Sequence, residues 1–563
     1  MAKDRQTKHY QHNNRAEKKP TTQHGSATHV SGGKDRNIIA LISKTTSFFV
    51  VFIIVWALLY FLYGDLFLVA EQRSFFCLDS VAMQFYLNQP LGWLYFIGRM
   101  LLVTCKFPVL GTLLISAMLV GAAWLLDRAF KLSGWWHMFT IALPYLYFLY
   151  IFYMGLNLVY LRESSWVINI PLVLFVASLV VALATKIFAR RNVGISSFFK
   201  PLKNSSLMCN FSISCLVLLL TISSVVVAMT YAQNDRITCR MESLMYDEEW
   251  DKMVEVAKSA TKPSRTVIGL YALALNQNGQ MATELFNIPM QYGNIHITNA
   301  DGSFNSGIDY VVVYCNFYAG LTRSAYHEAM EQHVLEGPSI SRLKFMVKCA
   351  LIDHENALAE KYLSILKKVP FESEFVEKYS DMLTDYNKVV QDNELASVIE
   401  LQPVKDSFEQ AYRKPLFLGY NVSLLEAKSI RGLNNCLYAC LYSKDLKSFG
   451  ARIVTMIQNN VMLSKIFEEA IVVQNIKNLS VLKSLKLSPY TLQQMKDFMG
   501  ECFATDGRSM KDMTEDEKHD LSKKKALEFK DKYLGTYEYY YYFQNVPDEN
   551  YVVPEKEDKG GVN

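Results

Sequence analysis

The first part of the chain has few acidic residues, and the second part has no long apolar run. Residues 1–231 hold 20 lysine and arginine residues but only eight aspartate and glutamate residues, a net charge of +12. Residues 232–563 hold 38 basic and 46 acidic residues, a net charge of −8. The overall charge of +4 is therefore the sum of two unlike parts. This division predicts a membrane-embedded first part and a water-exposed second part.

Recognisable catalytic motifs are also missing. The sequence contains no C-x-x-C pair, glycine-rich phosphate loop, nucleophile elbow or basic-aromatic RNA-binding pattern. The segment His327–His333 (HEAMEQH) resembles a zinc-binding helix, but its second histidine comes six positions after the first instead of four. We interpret it as an exposed charged helix. We expect no cofactor, no metal and no nucleic acid, and the chain is more typical of a non-enzymatic protein than of an enzyme.

Cysteine usage does not change this view. Seven of the ten cysteines fall in segments that we place outside the cytoplasm, where disulfides are permitted. Cys436 and Cys440 lie four apart on one predicted helix, which is poor geometry for a disulfide between them. We interpret these cysteines mostly as buried small apolar side chains and expect Cys239 to be the most exposed.

Five apolar segments are long enough to cross a bilayer, which needs about 20 residues. They lie in a predicted transmembrane domain, residues 37–234, and Pro144 is expected to kink the third. Residues 1–36 form a disordered basic tail whose histidines are spaced too irregularly for a metal site. The predicted spans cover residues of about 47–70, 107–126, 137–160, 165–185 and 208–231.

The distribution of lysine and arginine predicts the orientation. Nine lie in residues 1–46, two in the loop 127–131 and five in the loop 186–203, and five spans put all of them on one side. The positive-inside rule makes that side the cytoplasm, so that everything after about Asn234 is outside it. Residues 91–105, with Arg99 near their middle, are predicted to lie in the interface, because crossing would move the 186–203 loop outside.

Three arginines are candidates for contact with membrane lipid. Arg99 belongs to the interfacial helix, where it contacts lipid phosphate or simply extends its side chain toward water. Arg190 and Arg191 belong to the basic 186–203 loop, which serves as a topology determinant and contacts anionic lipid.

Residues 235–545 read as a helical solenoid. A helix pair is predicted over Ser339–Leu351 and Glu355–Lys368, and Pro338 and Pro370, which flank it, lie 32 residues apart. That distance is close to the period of tetratricopeptide repeats, although the full repeat signature is missing. The predicted fold is therefore all-α, with a five-span bundle followed by a degenerate tetratricopeptide-like α-solenoid.

The end of the chain is predicted separately. The tract Gly535–Phe543 (GTYEYYYYF) is either a stacking platform or, as we favour, a segment docked on the end of the solenoid. Residues 546–563 form a polar tail, and residues 291–306 read as a loop within the solenoid.

Three acids near the end of the first span offer the only catalytic alternative. Asp65, Glu71 and Asp79 lie where membrane glycosyltransferases that use lipid-linked sugars often place an essential acid. Acids at the end of a span also mark the point where the chain enters water, and we favour that reading.

The sequence resembles a family of uncharacterised polytopic inner-membrane proteins from anaerobic Gram-negative bacteria, over most of residues 45–543. The resemblance rests on short motifs, and this chain departs from the family's Pro-Gly-Gly at Pro90-Leu91-Gly92. The motifs are Asn88-Gln89-Pro90-Leu91-Gly92, Phe107-Pro108-Val109-Leu110-Gly111, Glu249-Trp250, Ala274-Leu275-Asn276-Gln277-Asn278-Gly279-Gln280, Glu284-Leu285-Phe286 and Gly535-Thr536-Tyr537. The resemblance implies several spans and a large carboxyl-terminal tetratricopeptide-like domain, and no activity or functional residue.

Two functions remain open. The first is a non-enzymatic scaffold in the bacterial inner membrane whose periplasmic helical domain binds a protein partner, because stacked helix pairs form an extended concave surface. The alternative is a membrane enzyme or carrier that acts on lipid-linked saccharide in the cell envelope. A transporter is disfavoured, since the spans carry almost no charge at mid-membrane and show no paired interrupted helices.

Overall fold

A computed structural model describes most of the chain. The described residues are 32–132, 134–160, 163–190, 206–290, 311–406, 425–459, 461–478, 480, 482, 485, 487–503 and 514–544. Predictions for residues 1–31 of the basic tail, the loop residues 191–203, the loop 291–306 and the polar tail 546–563 lie outside them. The chain divides into two compact units, residues 1–50 and residues 51–563. The described part of the first unit is helical, so the predicted disordered tail gives way to helix at Gly32.

The described residues are predominantly helical, and the β-structure among them is a single bridge between Pro403 and Ala427. The predicted all-α class is confirmed. The helices up to the last span are α1 (Gly32–Gln72), α2 (Ser80–Leu87), α3 (Gly92–Leu102), α4 (Pro108–Phe130), α5 (Trp135–Met154), α6 (Asn157–Tyr160), α7 (Trp166–Arg190) and α8 (Ser206–Thr230).

The remaining helices belong to the helical domain. They are α9 (Gln233–Tyr246), α10 (Trp250–Lys258), α11 (Arg265–Gln277), α12 (Met281–Glu284), α13 (Val312–Tyr318), α14 (Thr322–Glu336), α15 (Ile340–Ile352), α16 (Asn356–Leu366), α17 (Ser373–Ser380), α18 (Tyr386–Gln391), α19 (Asn393–Leu401), α20 (Ile430–Tyr442), α21 (Leu446–Gln458), α22 (Lys465–Gln474), α23 (Pro489–Cys502), α24 (Glu515–Glu528), α25 (Lys530–Tyr533) and α26 (Tyr537–Phe543).

Five of these helices are long and apolar enough to cross a membrane, as predicted. Their apolar segments are Thr45–Gln72, Pro108–Phe130, Trp135–Met154, Trp166–Ile187 and Phe211–Thr230. The chain is a multi-pass membrane protein. Helix α3 has only 11 residues and is too short to cross a bilayer, and its interfacial placement stays a prediction. The third apolar helix continues through Pro144 from end to end.

The helical domain follows the fifth span, α8, and therefore lies on the side of the membrane where α8 ends. Because successive spans alternate in direction, α1 also ends and α4 begins on this side, which we call the domain side. Pro108 is the first residue of α4, and its Cβ lies 3.5 Å from an ideal Cβ built on Gly64 of α1. Helix α1 continues for about two further turns past that level, to Gln72. Its last turns therefore enter the helical domain, and residues 51–563 form one compact unit.

Successive helices of the domain form hairpins through one recurring turn. A residue with positive φ follows the end of the first helix, and the next amide reaches back to a carbonyl five residues earlier. In the α15–α16 hairpin His354 has φ 61°, and the Glu355 amide donates to the Ala350 carbonyl at 2.8 Å. This is a Schellman-type cap, which satisfies helix-end carbonyls and reverses the chain. The same turn recurs at Glu248, Gly279, Gly320 and Lys444.

The tyrosine tract docks on the domain, as we favoured. Tyr537, Tyr539 and Tyr540 of α26 are fully buried. The Tyr540 ring stacks on Phe286 with centroids 4.3 Å apart, and its hydroxyl donates to the Tyr442 carbonyl at 2.5 Å. These rings are packed in the interior, so the tract is not an open stacking platform.

Candidate functional site

A buried cluster joins the end of the first span to the helical domain. Its centre is Glu242 of α9, whose side chain is fully buried. The carboxylate accepts hydrogen bonds from the hydroxyls of Tyr160, Tyr246 and Tyr314, the last two at 2.5 and 2.6 Å. Nε of Arg73, the first residue after α1, donates to the same carboxylate at 3.4 Å, and its guanidinium lies 3.9 Å from the centroid of the Tyr160 ring. We call these five residues the joint cluster.

Burial and charge act together on the joint cluster. Burial alone lowers the pKa of Arg73, but Tyr314 and Glu242 outweigh it and raise that pKa above its usual value. Burial and the Glu242 charge raise the pKa of Tyr246 and Tyr314. The arginine therefore stays charged and the hydroxyls stay protonated as donors, which compensates the desolvated carboxylate.

A second polar cluster lies beside it. Glu372, at the start of α17, accepts from Lys344 Nζ at 2.7 Å and forms a closer ion pair with Lys106. Burial raises the pKa of Glu372, but the two lysines outweigh it and lower that pKa. Glu71 is buried beside this group, and its Oε2 accepts from Gln72 Nε2 at 2.8 Å. Glu71 thus lies inside the contact between span and domain.

The three acids predicted as a catalytic alternative occupy three separate environments. Asp65 pairs with Arg240 of α9 at 2.9 Å, whereas Asp79 pairs with Lys368 at 2.9 Å on an exposed surface. Glu71 is buried in the second cluster. The structure gives each acid a structural partner and does not assemble them around a common point. Catalysis by any of them stays a prediction.

Asp65 lines an open cavity between the ends of the spans and α9, with a volume of about 520 Å³. Helix α1 supplies one wall, and Pro108 and Met229 mark the ends of the second and fifth spans at its floor. Helix α9 contributes the opposite wall with Arg236 and Arg240. We call this the boundary cavity. It combines apolar side chains of the spans with three charged side chains of net charge +1.

Arg236 is held at the boundary cavity by backbone carbonyls of two spans. Its Nε donates to the Leu62 carbonyl of α1 at 3.0 Å, and its Nη1 lies 3.4 Å from the Ala228 carbonyl of α8. Among the described residues no carboxylate lies within 4.0 Å of it, and Nη2 has no hydrogen-bond partner. Burial lowers the pKa of Arg236, and the nearby Tyr63 and Asp65 only partly offset that effect. The local charge is thus incompletely compensated.

The three arginines that were predicted to contact lipid differ in what the structure describes around them. Arg99 is only 8% exposed, and its Nε donates to Glu163 at 2.9 Å while its guanidinium lies 4.2 Å from the centroid of the Tyr86 ring. The structure therefore gives Arg99 protein partners, and its lipid contact stays a prediction. Arg190 ends α7, and Arg191 lies outside the described residues, so that their lipid contacts also stay predictions.

The remaining candidate residues in the described part of the chain are potential metal ligands, the two histidines of α14 and the cysteines. No group of three or more potential metal ligands occurs there. His327 and His333 lie on α14, where His327 Nδ1 is 3.7 Å from the Glu331 carboxylate one turn away. The prediction that Cys239 is the most exposed of these cysteines was wrong. Its side chain is only 1% exposed, because α9 packs on the end of α1. The seven cysteines that were predicted to lie outside the cytoplasm are buried and form no disulfides.

Two features of α9 were missed by sequence reasoning. The sequence analysis did not single out Glu242, the centre of the joint cluster, or Arg236, which lines the boundary cavity. One signal was available: α9 begins three residues after the last span, and Arg236 and Arg240 lie one helical turn apart on it. Basic residues at this spacing beside a bilayer are typical of contact with phosphate.

A family profile matches residues 147–544, which is more than half of the chain. The match begins within the third span and ends just after α26, so it includes the helical domain. The chain belongs to this family, which is described as a family of unknown function (DUF6057). This confirms the resemblance to an uncharacterised family, whereas bacterial origin and tetratricopeptide-like character stay predictions. No curated protein and no solved structure matches the chain.

Proposed function

We propose that this member of a family of unknown function is a membrane-anchored scaffold whose helical domain binds a protein partner outside the cytoplasm. The observation that carries the proposal is the joint cluster, which attaches a series of helix hairpins to the end of the first span through Arg73 and Glu242. A buried ion pair with three further hydrogen bonds holds a geometry that an exposed linker does not hold. The domain is thereby presented at a defined height above the bilayer.

The hairpins supply the binding surface. Stacked helix pairs leave extended faces suited to peptides and helices. One exposed apolar site lies at the end of α21, where Met462 is 93% exposed and Val454 of the same hairpin is also exposed. We propose Met462 as part of the partner contact, because a fully exposed methionine is a flexible apolar contact residue.

The proposed location is the bacterial inner membrane, with the amino terminus in the cytoplasm and the helical domain in the periplasm. The basic residues 127–131 and 186–203 support this orientation through the positive-inside rule. Met462→Cys provides a test, because the wild-type cysteines described in the helical domain are buried. A membrane-impermeant maleimide should label this variant in cells with a permeabilised outer membrane. Labelling that requires lysis of the inner membrane would reverse the orientation.

The partner is tested by native mass spectrometry of the tagged full-length protein, purified gently from its own membranes. We expect a stoichiometric protein partner that is lost in Met462→Glu. The matched control is Leu527→Glu, which also charges an exposed apolar side chain of the helical domain and should retain the partner. Copurification of a polyprenyl-linked glycan without any protein would replace the scaffold by the lipid-linked saccharide alternative.

A further inference from the structure

The boundary cavity lies at the level where lipid headgroups meet the protein. Pro108 begins one span and Met229 is the penultimate residue of another, so both mark the edge of the hydrocarbon. Phe61, one helical turn before Asp65 on α1, is 76% exposed, and Met229 is 50% exposed. The cavity therefore has apolar side chains toward the bilayer and charged side chains toward the helical domain.

The charged wall is suited to a single anion. Arg236 and Arg240 are one turn apart on α9, and Asp65 neutralises only Arg240. Two carbonyls position the Arg236 guanidinium without neutralising it, and its Nη2 remains available to a ligand. Guanidinium groups bind phosphate oxygens with directed hydrogen bonds, and partial burial strengthens such bonds.

We propose that the boundary cavity binds the phosphate group of a membrane lipid. Arg236 and Arg240 are the phosphate ligands, and the acyl chains lie along Phe61 and Met229. The volume of about 520 Å³ is in the range of small-molecule sites and accommodates a headgroup. Asp65 competes with the phosphate for Arg240, so it limits affinity instead of contributing to it. This inference is independent of whether the helical domain binds a protein.

The test uses native mass spectrometry of the delipidated full-length protein with added phosphatidylglycerol. We expect one retained lipid per wild-type chain, and about tenfold weaker retention in Arg236→Gln and in Arg240→Gln, as for the loss of one hydrogen bond to a charged group. Arg236→Lys should recover part of the retention because it keeps the charge. The matched control is Arg452→Gln, since Arg452 also donates to a carbonyl, that of Leu425 at 2.9 Å, far from the spans.

Asp65→Asn separates a binding role from a purely structural one. It frees Arg240 and removes a negative charge from the boundary cavity, so lipid retention should rise several-fold. Weaker retention in this variant, or equal retention in all variants including Arg452→Gln, would overturn the proposal.

A second arm distinguishes lipid from free phosphate. Phe61→Ala should weaken retention of phosphatidylglycerol and leave binding of inorganic phosphate unchanged, because it removes only the acyl-chain contact. Displacement of the lipid by millimolar inorganic phosphate would identify free phosphate as the ligand and reject the lipid.

Discussion

The helical domain has a buried carboxylate in each of two polar clusters, and the two carboxylates have opposite neighbours. Beside the end of the first span, Glu242 faces Arg73 and three tyrosine hydroxyls. At the tyrosine tract, Glu538 of α26 lies beside a second carboxylate, Glu469 of α22, and shares with it the amide of Gln494.

The difference between the two places is one of charge balance. At the joint cluster one guanidinium and three hydroxyl donors face the carboxylate. At the tyrosine tract, burial first and the Glu469 charge second raise the pKa of Glu538 to about 7, and its Oε2 has no hydrogen-bond partner among the described residues. We expect the docking of the tyrosine tract to depend on pH near neutrality.

The largest expected effect is at the joint cluster. Glu242→Gln leaves the Arg73 charge buried without a counter-charge, and should lower the free energy of unfolding by about 3–5 kcal/mol. Urea unfolding of the purified protein in detergent measures this. Glu255→Gln, which changes an exposed glutamate of the neighbouring α10, should have almost no effect.

A double variant tests whether the unpaired buried charge causes this loss of stability. Arg73→Met combined with Glu242→Leu removes both charges and should cost less than Glu242→Gln alone, because no unpaired charge remains buried. An equal or larger loss would show that the tyrosine hydroxyls, rather than the ion pair, dominate the joint.

We expect the stability of the docked tyrosine tract to depend on pH. The pKa of Glu538 is about 7 in the folded protein and about 4.5 in an unfolded chain, so folding favours its protonated form. The stabilisation is fully present below about pH 4.5 and is lost as the pH rises to about 7, on the order of 3 kcal/mol in total. The protection factors of the amides of residues 537–543, which are the intrinsic exchange rates at each pH divided by the observed rates, should therefore fall over this range.

Glu538→Gln provides the matching variant. It keeps the size of the side chain and removes the charge, so the protection factors should be higher than in the wild type at pH 7.5 and should no longer change with pH. Glu468→Gln, at the neighbouring position of α22, should keep the wild-type change of protection with pH. Lower protection in Glu538→Gln than in the wild type at pH 7.5 would mean that the charged form is the docked one.

We expect a smaller loss of stability from substitutions in the turns of the helix hairpins. Gly320 has φ 83°, and an added Cβ would lie 2.4 Å from the Leu401 carbonyl carbon, so Gly320→Ala should cost about 2 kcal/mol or more. Gly279 has φ 68° but open space around it, so Gly279→Ala should cost about 1 kcal/mol. Thermal unfolding compares the two, and an equal loss would show that backbone conformation alone matters.

The smallest effect concerns the exposed pair of Asp79 and Lys368. Exposed ion pairs contribute little, because water and salt screen them. Asp79→Asn should leave the unfolding temperature unchanged at low and high salt. A clear loss of stability would add this pair to the contacts that hold the domain on the bundle.

The sequence predicted the helices better than their ends or their surroundings. The predicted helix pair after Pro338 was located to within one or two residues at each end, and Ser339 caps α15 through a bond from the Arg342 amide at 3.3 Å. Helix α20 begins at Ile430, where Ser429 accepts from the Gly432 amide at 2.9 Å. Ser488 immediately precedes α23 but makes no capping side-chain bond. Local apolar periodicity locates a helix, whereas its ends depend on which carbonyls and amides find partners.

The sequence by itself determined the all-α class, the number of spans and the division into an apolar and a polar part. Each of these follows from sums over neighbouring residues, since transfer of a segment into hydrocarbon depends on its own side chains and backbone. Only the tertiary structure decided what Asp65, Arg73 and Arg236 do. Their partners Arg240, Glu242 and Leu62 lie 169 to 175 positions away in the chain. Such pairs form because folding brings distant helices together and makes burial of unpaired charge costly, and a single sequence carries no record of that proximity.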